Sequence, residues 1–299
     1  MGVVGHEIDL HRKGIAVFAR LSRSWSLVEA SASVLKQDKE LLLFPLISMA
    51  ALVVVVASFA LPVFGLGMLD SASGGGDERV FVARYVVAFL FYFSQYFVIF
   101  FFNAALVGAA MIRLDGANPT LGDGLRIATS RLGAIAGYAL VAATVGMILR
   151  AIQERVGFIG RIIVGLLGVS WTIATYLVVP VLVARELGPI AAVKESASLL
   201  KKTWGENVIG QAGLAAAFGF IFLGVIGCGM LLVAAAFYTQ SIFLIVVAFV
   251  ATILGIVITG LVQSALTGIY AAALYRYATT GESTRGFDSN ALKLAFAPK

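Results

Sequence analysis

The residue types that most often catalyse reactions or bind metals are sparse in this sequence. Its two histidines, His6 and His11, stand five residues apart in HEIDLH, whereas a zinc metalloprotease helix needs histidines four apart on one face. On a helix, a residue five positions further on points about 140° away. The glycines at 74–76 lack the Lys-Ser/Thr pair of a phosphate loop, and no Gly-x-Ser-x-Gly motif occurs. We therefore expect neither an enzyme nor a protein that holds a cofactor or a metal.

Uncharged polar side chains inside long apolar runs are the remaining candidates for chemistry. Ion-coupled carriers place charged side chains at mid-membrane, and no acidic residue stands near the centre of an apolar run here. Asn103 and Gln263 stand out because they open two similar segments, NAALVG at 103–108 and QSALTG at 263–268. We predict that Asn103 and Gln263 form an intramembrane polar pair that faces a common interior.

The composition identifies the class of protein that must position these residues. Of the 299 residues, 60% are hydrophobic and 13% are charged, whereas a soluble domain has about 45–50% apolar and about 25% charged residues. Such a chain is expected to be an integral membrane protein. The net charge of +6 fits lysines and arginines that face anionic headgroups rather than nucleic acid.

Runs without Asp, Glu, Lys or Arg predict six transmembrane helices in an all-α fold. A span needs about 20 residues, and the run at 207–275 is long enough to turn back at Tyr238-Thr239-Gln240-Ser241. The second and sixth spans exceed one bilayer, and Pro180 predicts a kink in the fourth. The spans are predicted near 41–66, 80–112, 132–151, 161–185, 207–236 and 241–277.

The basic residues predict the orientation of these helices. With the N-terminus inside, seventeen of the 22 lysines and arginines fall on the cytoplasmic side. The other five are Arg79, Arg84, Arg150, Arg155 and Arg161. We therefore predict a plasma (inner) membrane protein with both termini cytoplasmic, an external loop at 71–78 and a cytoplasmic tail at 278–299.

An internal repeat predicts how the single membrane domain (1–299) is built. VEASASVLK at 28–36 and VKESASLLK at 193–201 share six of nine positions, and LRIATSRLG at 125–133 is a weaker copy. Each copy precedes an odd-numbered span, so the predicted unit is an amphipathic helix followed by a transmembrane hairpin, used three times. Thr120 is predicted to cap the second copy, and Gly188-Pro189 to begin the third.

The first amphipathic helix is predicted at 14–37, with an apolar stripe of alternating three- and four-residue spacing. This stripe either rests on the headgroup boundary or, as we favour, packs against helices of the same protein. Likewise, Gly133 and Gly137 are expected to pack within the chain rather than in a dimer. The candidate lipid-headgroup contacts are Arg20, Arg23, Lys36, Lys194, Lys201 and Lys202.

Three segments carry a resemblance to known proteins. SASVLKQDKELLLFPLIS at 31–48 and GFDSNALKLAFAPK at 286–299 resemble bacterial multi-pass membrane proteins of uncharacterised function. VVPVLVARELGPIAAVKESASLLKKTWGENV at 178–208 resembles both that group and the membrane domain fused to some glycerophosphodiester phosphodiesterases. The resemblance implies a six-helix bundle with cytoplasmic amphipathic helices, and it brings no active residue.

The sequence favours a non-enzymatic integral membrane protein, a scaffold or helper that binds lipid or a partner protein. Its basic amphipathic helices and its lack of coupling residues support this hypothesis. The alternative is a transporter or channel for an uncharged or amphipathic small molecule, which the Asn103–Gln263 pair favours. Membrane lipids are the expected partners, with a partner protein or a second copy as further ones.

Overall fold

The computed structural model describes residues 29–65, 78–202 and 204–281. The described residues are almost entirely helical and contain no strand. Six helical segments within them are long and apolar enough to cross a membrane, so the all-α class and the six spans are confirmed. These segments are Lys39–Ala60, Tyr85–Leu114, Leu132–Arg155, Phe158–Ala184, Ala215–Tyr238 and Ile242–Thr280.

The described residues form ten α-helices of very different lengths. The first, α1, is described over residues 29–37 and is followed by a 3-10 turn at Lys39–Leu42. The others are α2 (Leu43–Gly65), α3 (Glu78–Leu114), α4 (Leu121–Ser130), α5 (Leu132–Arg155), α6 (Phe158–Ala174), α7 (Val178–Ala184), α8 (Pro189–Lys202), α9 (Trp204–Tyr238) and α10 (Ile242–Thr280).

The chain forms two compact units. One contains Leu43–Arg113 and Ala117–Lys201, and therefore helices α2 to α8. In this unit α5 contacts α4, α6 and α7. The other contains α1, the 3-10 turn, Leu114–Gly116, α9 and α10. There α10 packs along α9 and also contacts the 3-10 turn.

Helix α10 has two parts with different surroundings. It has 39 residues, and at 1.5 Å per residue it is about 58 Å long, well beyond the roughly 30 Å of a hydrocarbon core. Large apolar side chains such as Phe243 and Leu254 are exposed in its first half, whereas every residue from Gly268 to Tyr275 is buried. The exposed half has the surface expected of a helix in lipid, and the second half belongs to the protein core.

The fourth span is broken where the sequence predicts a kink. Helix α6 ends at Ala174 and α7 begins at Val178, so residues 175–177 belong to neither helix. Pro180 has no N–H, and its ring crowds the carbonyl four residues earlier, which lies in this interval. We call residues 175–177 the break segment.

The start of α4 is fixed by the cap that the sequence predicts. The Asp123 N–H donates to Thr120 Oγ1, and the Thr120 N–H donates to Asp123 Oδ2, so the two residues form a capping box. The Thr120 hydroxyl also donates to Asp123 Oδ2 at 2.7 Å, and this bond, together with the one from the Thr120 N–H, holds the pKa of Asp123 below its ordinary value of 3.8. Pro189 begins α8, as predicted.

Candidate functional site

Helix α8 is amphipathic, and its apolar face is buried in the protein. Ala192, Leu199 and Leu200 are buried along this face together with Ser196, at the spacing of one side of a helix. Lys194 and Lys201 are exposed on the rest of the helix. For this helix, the apolar stripe therefore packs inside the protein.

Ser196 completes the backbone hydrogen bonding of the break segment. Its hydroxyl accepts a hydrogen bond from the Leu177 N–H, with 3.1 Å between nitrogen and oxygen, and donates one to the Ala174 carbonyl at 2.7 Å. Ser196 is 0% exposed. In hydrocarbon, a buried peptide group without a hydrogen-bond partner costs roughly several kcal/mol. This single hydroxyl therefore stabilises the peptide groups at both ends of the break segment.

Further hydroxyl groups lie beside the break segment. Tyr138 of α5 is buried, and its hydroxyl lies near the side chain of Thr175. Thr175 in turn donates to the Trp171 carbonyl at 2.8 Å. The ring of Phe100 from α3 lies 4.5 Å from the ring of Tyr138, centroid to centroid. The break is therefore a polar position enclosed by aromatic and apolar side chains.

Two ion pairs surround the end of α7. Arg185, directly after α7, donates to Glu195 of α8 at 2.8 Å. Arg131, at the start of α5, donates to Glu186 at 3.0 Å.

Helix α5 approaches the start of α8 closely at a glycine. A Cβ on Gly137 would lie 2.9 Å from the ring of Pro189, whereas a Cβ on Gly133 would meet nothing within 4 Å. Gly137 therefore packs within the chain, as expected.

Helix α1 repeats the burial pattern of α8. Ser31, Val34 and Leu35 are buried, as are Ser196, Leu199 and Leu200 at the same places in the VEASASVLK and VKESASLLK segments. Lys36 and Lys201 are exposed at the end of each segment. The serines differ, since the Ser31 hydroxyl has no hydrogen-bond partner in the described part of the chain.

Helix α4 packs closely against α3 through a glycine that the sequence analysis missed. A Cβ on Gly124 would lie 2.6 Å from the Ala105 carbonyl oxygen and 2.5 Å from the Phe44 ring. Gly124 is followed four residues later by Ala128, which is 0% exposed and aligns with Ser31 and Ser196 in the predicted repeat. A glycine inside an amphipathic helix was the available signal for this close approach.

An open apolar groove of about 410 Å³ lies along α9 and α10. Its lining includes Gly224, Cys228, Gly229 and Ala251, all of which have small side chains, beside Thr252. A Cβ on Gly229 would lie 2.3 Å from a methyl carbon of Thr252, so the two helices touch at the groove floor. Such a groove offers apolar contact but little hydrogen bonding.

Asn103 and Gln263, the predicted polar pair, each lie shortly before a buried part of their helix. Asn103 of α3 is half-buried and directly precedes a fully buried stretch, 104–110, and Gln263 of α10 is half-buried just before the buried part of its helix. They belong to different compact units, so their pairing stays a prediction.

The predicted headgroup contacts are partly described. Lys36, Lys194 and Lys201 are exposed. Arg20, Arg23 and the side chain of Lys202 lie outside the described residues, as does the tail at 286–299. Within the described ranges, no group of three or more His, Cys, Asp or Glu side chains is arranged to hold a metal.

Comparison with protein families identifies the family of this chain. A family model described as a family of unknown function (DUF6159) matches residues 82–287, which is more than half of the chain. No curated protein matches the chain.

Proposed function

We propose that this chain, which belongs to the DUF6159 family of unknown function, is a non-enzymatic multi-pass membrane protein that binds anionic lipid headgroups through its amphipathic helices. By binding these headgroups, the protein would act as a scaffold or helper that holds lipid. The supporting observation is the exposure of Lys36, Lys194 and Lys201 on helices whose opposite faces are buried. Because one face of each helix is buried, the lysines project away from the packed side.

The proposal includes an architecture and an orientation. Three copies of a short helix followed by a hairpin are supported by the matching burial of Ser31 with Ser196 and of Leu35 with Leu200. Cytoplasmic termini in the inner membrane are supported by the distribution of basic residues. A relation to the membrane domain fused to some glycerophosphodiester phosphodiesterases also belongs to this proposal, resting on the 178–208 segment.

Cysteine labelling tests the orientation. In a Cys228→Ser background, a cysteine at Ser198 is expected to react with a membrane-impermeant maleimide only after the cells are opened. Cys228 must be replaced because it is exposed in the structure. Labelling of position 198 in intact cells would contradict cytoplasmic amphipathic helices.

Lipid binding is tested with purified protein in nanodiscs of phosphatidylcholine with or without phosphatidylglycerol. The triple variant Lys36→Gln/Lys194→Gln/Lys201→Gln should lose most of the enrichment of phosphatidylglycerol around the protein, measured by mass spectrometry of the co-purified lipid. Each lysine near an anionic surface contributes about 1 kcal/mol. The control is Arg155→Gln/Arg161→Gln, which removes exposed cations from the end of α5 and the start of α6.

An equal loss of enrichment in the control would mean that the binding is general attraction by cations at either membrane surface. No enrichment in the unmodified protein would contradict the proposal outright. Unchanged enrichment in the triple variant, with a partner protein lost instead in pull-down experiments, would indicate a protein-binding surface.

A transporter for an uncharged or amphipathic small molecule is the second candidate. It is favoured by the broken fourth span, because discontinuous helices hold the substrate in several transporter folds. The test is glycerol flux into liposomes by stopped-flow light scattering. The protein should accelerate flux over empty liposomes, and Asn103→Leu/Gln263→Leu should abolish the acceleration. Absence of flux with the correctly folded protein would contradict glycerol-type transport.

A further inference from the structure

The hydrogen bonds that bridge the fourth span come from a helix outside that span. Ser196 of α8 occupies the gap between Ala174 and Leu177 and bonds to both. In a continuous helix the backbone would satisfy these groups by itself. The closed form of the break segment therefore depends on where α8 lies.

Helix α8 is held by its buried face and, beside it, by two contacts that lie outside the break segment. It has 14 residues, a length at which an isolated helix is marginal in water and depends on tertiary packing. Its first residue, Pro189, lies against Gly137, and Glu195 pairs with Arg185, whose side chain is 45% exposed. An ion pair this exposed is weak and is screened by salt.

We propose that α8 is a latch on the fourth span. With α8 docked, Ser196 closes the break segment. When α8 undocks, the Leu177 N–H and the Ala174 carbonyl lose their partner and become open to water next to the Tyr138 and Thr175 hydroxyls. Arg185–Glu195 and the Gly137–Pro189 contact add to the buried face in holding α8 docked, and Ser196 is the positioning residue that transmits its movement to the span.

Hydrogen exchange on the full-length protein in detergent micelles tests the latch. Gly137→Leu places a side chain where Pro189 now lies, so it should displace α8 and accelerate exchange of the amides at 175–178. The matched control is Gly133→Leu, one turn earlier on the same helix, where the added carbon meets nothing. The latch predicts acceleration in Gly137→Leu alone.

A milder variant keeps the test valid if Gly137→Leu does not fold. Glu195→Gln removes one charge without touching the break segment and should accelerate exchange at 175–178 by about fivefold, the factor that corresponds to loss of a weak ion pair. High salt should do the same in the unmodified protein and should have no effect in Glu195→Gln. Glu154→Gln, which breaks the exposed Arg150–Glu154 pair of α5, is the control and should leave these amides unchanged.

A double variant separates the latch from a local hydrogen-bond effect. Ser196→Ala accelerates exchange at Leu177 under either view, because it removes the acceptor. If α8 acts on the break through Ser196, adding Glu195→Gln to Ser196→Ala should cause little further acceleration. Additive effects, or unchanged exchange at 175–178 in both Glu195→Gln and Gly137→Leu, would overturn the proposal.

Discussion

Helices α1 and α8 carry nearly the same nine-residue sequence and bury the same side of it, yet their central serines have different surroundings. Ser31 and Ser196 are both 0% exposed, and the apolar residues three and four positions later are buried in both helices. Ser196 bridges the broken fourth span. The hydroxyl of Ser31 has no partner among the described residues.

The difference between Ser31 and Ser196 indicates two separate requirements for the side chain at this position of the short helices. The first is small volume, since Ala128 of α4, which aligns with the two serines in the predicted repeat, is also fully buried. The second is a hydroxyl, which is needed where a neighbouring helix leaves peptide groups without partners. We infer that close approach of the short helix governs this position in general, and that hydrogen bonding governs it at the break in the fourth span.

The largest expected effect tests whether α1 and α8 pack their apolar faces in the same way. Leu35→Ala and Leu200→Ala each remove a buried side chain at matching positions. Each should lower the free energy of unfolding by about 2–5 kcal/mol, through lost apolar burial and the cavity that remains. SDS titration in mixed micelles, followed by circular dichroism, measures the change. A loss at Leu200 alone would mean that the two helices do not have equivalent packing.

The packing of these leucines and the six spans were accessible from the sequence for the same reason. Charged residues are rare in this chain, so they mark the helix ends, and apolar residues at helical spacing mark the buried face. The second span predicted at 80–112, for example, lies within helix α3, Glu78–Leu114. The two compact units were not predicted, because they depend on contacts between residues far apart in sequence.

The next effect tests the difference between the serines. Ser196→Ala leaves two buried peptide groups without a partner and should lower the free energy of unfolding by about 1–3 kcal/mol. Ser31→Ala removes a hydroxyl that has no described partner, so its effect should be near zero or slightly stabilising. Chemical unfolding of the two variants side by side is the measurement. Equal losses would show that Ser31 has an equally important partner.

The candidate site was less predictable than the fold. Pro180 predicted a disturbance in the fourth span, but the break at 175–177 depends on a serine that lies 19 residues from Leu177 in sequence. Gly124 has a role that becomes visible only once Ala105 and Phe44 are placed around it. Residue types indicate which groups could interact, whereas packing decides which of them meet.

A smaller effect extends the comparison to α4, whose start is held by a capping box. Thr120→Ala removes one half of the box and should cost about 0.5–2 kcal/mol in the free energy of unfolding. Because the pKa of Asp123 in the folded protein lies below 3.8, its carboxylate stabilises the fold above that pH, and the contribution is lost as the pH falls through the folded pKa. Unfolding measured between neutral and acidic pH should therefore show a weaker acid dependence in Thr120→Ala. If the pH dependence of unfolding is unchanged in Thr120→Ala, other carboxylates are responsible for it.

The smallest effect on stability is expected at the exposed ends of α1 and α8. Lys36→Gln and Lys201→Gln change side chains that face outward, and substitutions of this kind usually alter the free energy of unfolding by less than about 0.5 kcal/mol. The same changes should weaken the binding of phosphatidylglycerol, since each removes one cation from the proposed headgroup surface. Unfolding in neutral detergent and lipid enrichment in nanodiscs measure the two quantities separately. If one of these substitutions lowers the free energy of unfolding in neutral detergent, that lysine contributes to the packing of its helix. The two helices would then differ in their outer faces as well as in the surroundings of their serines.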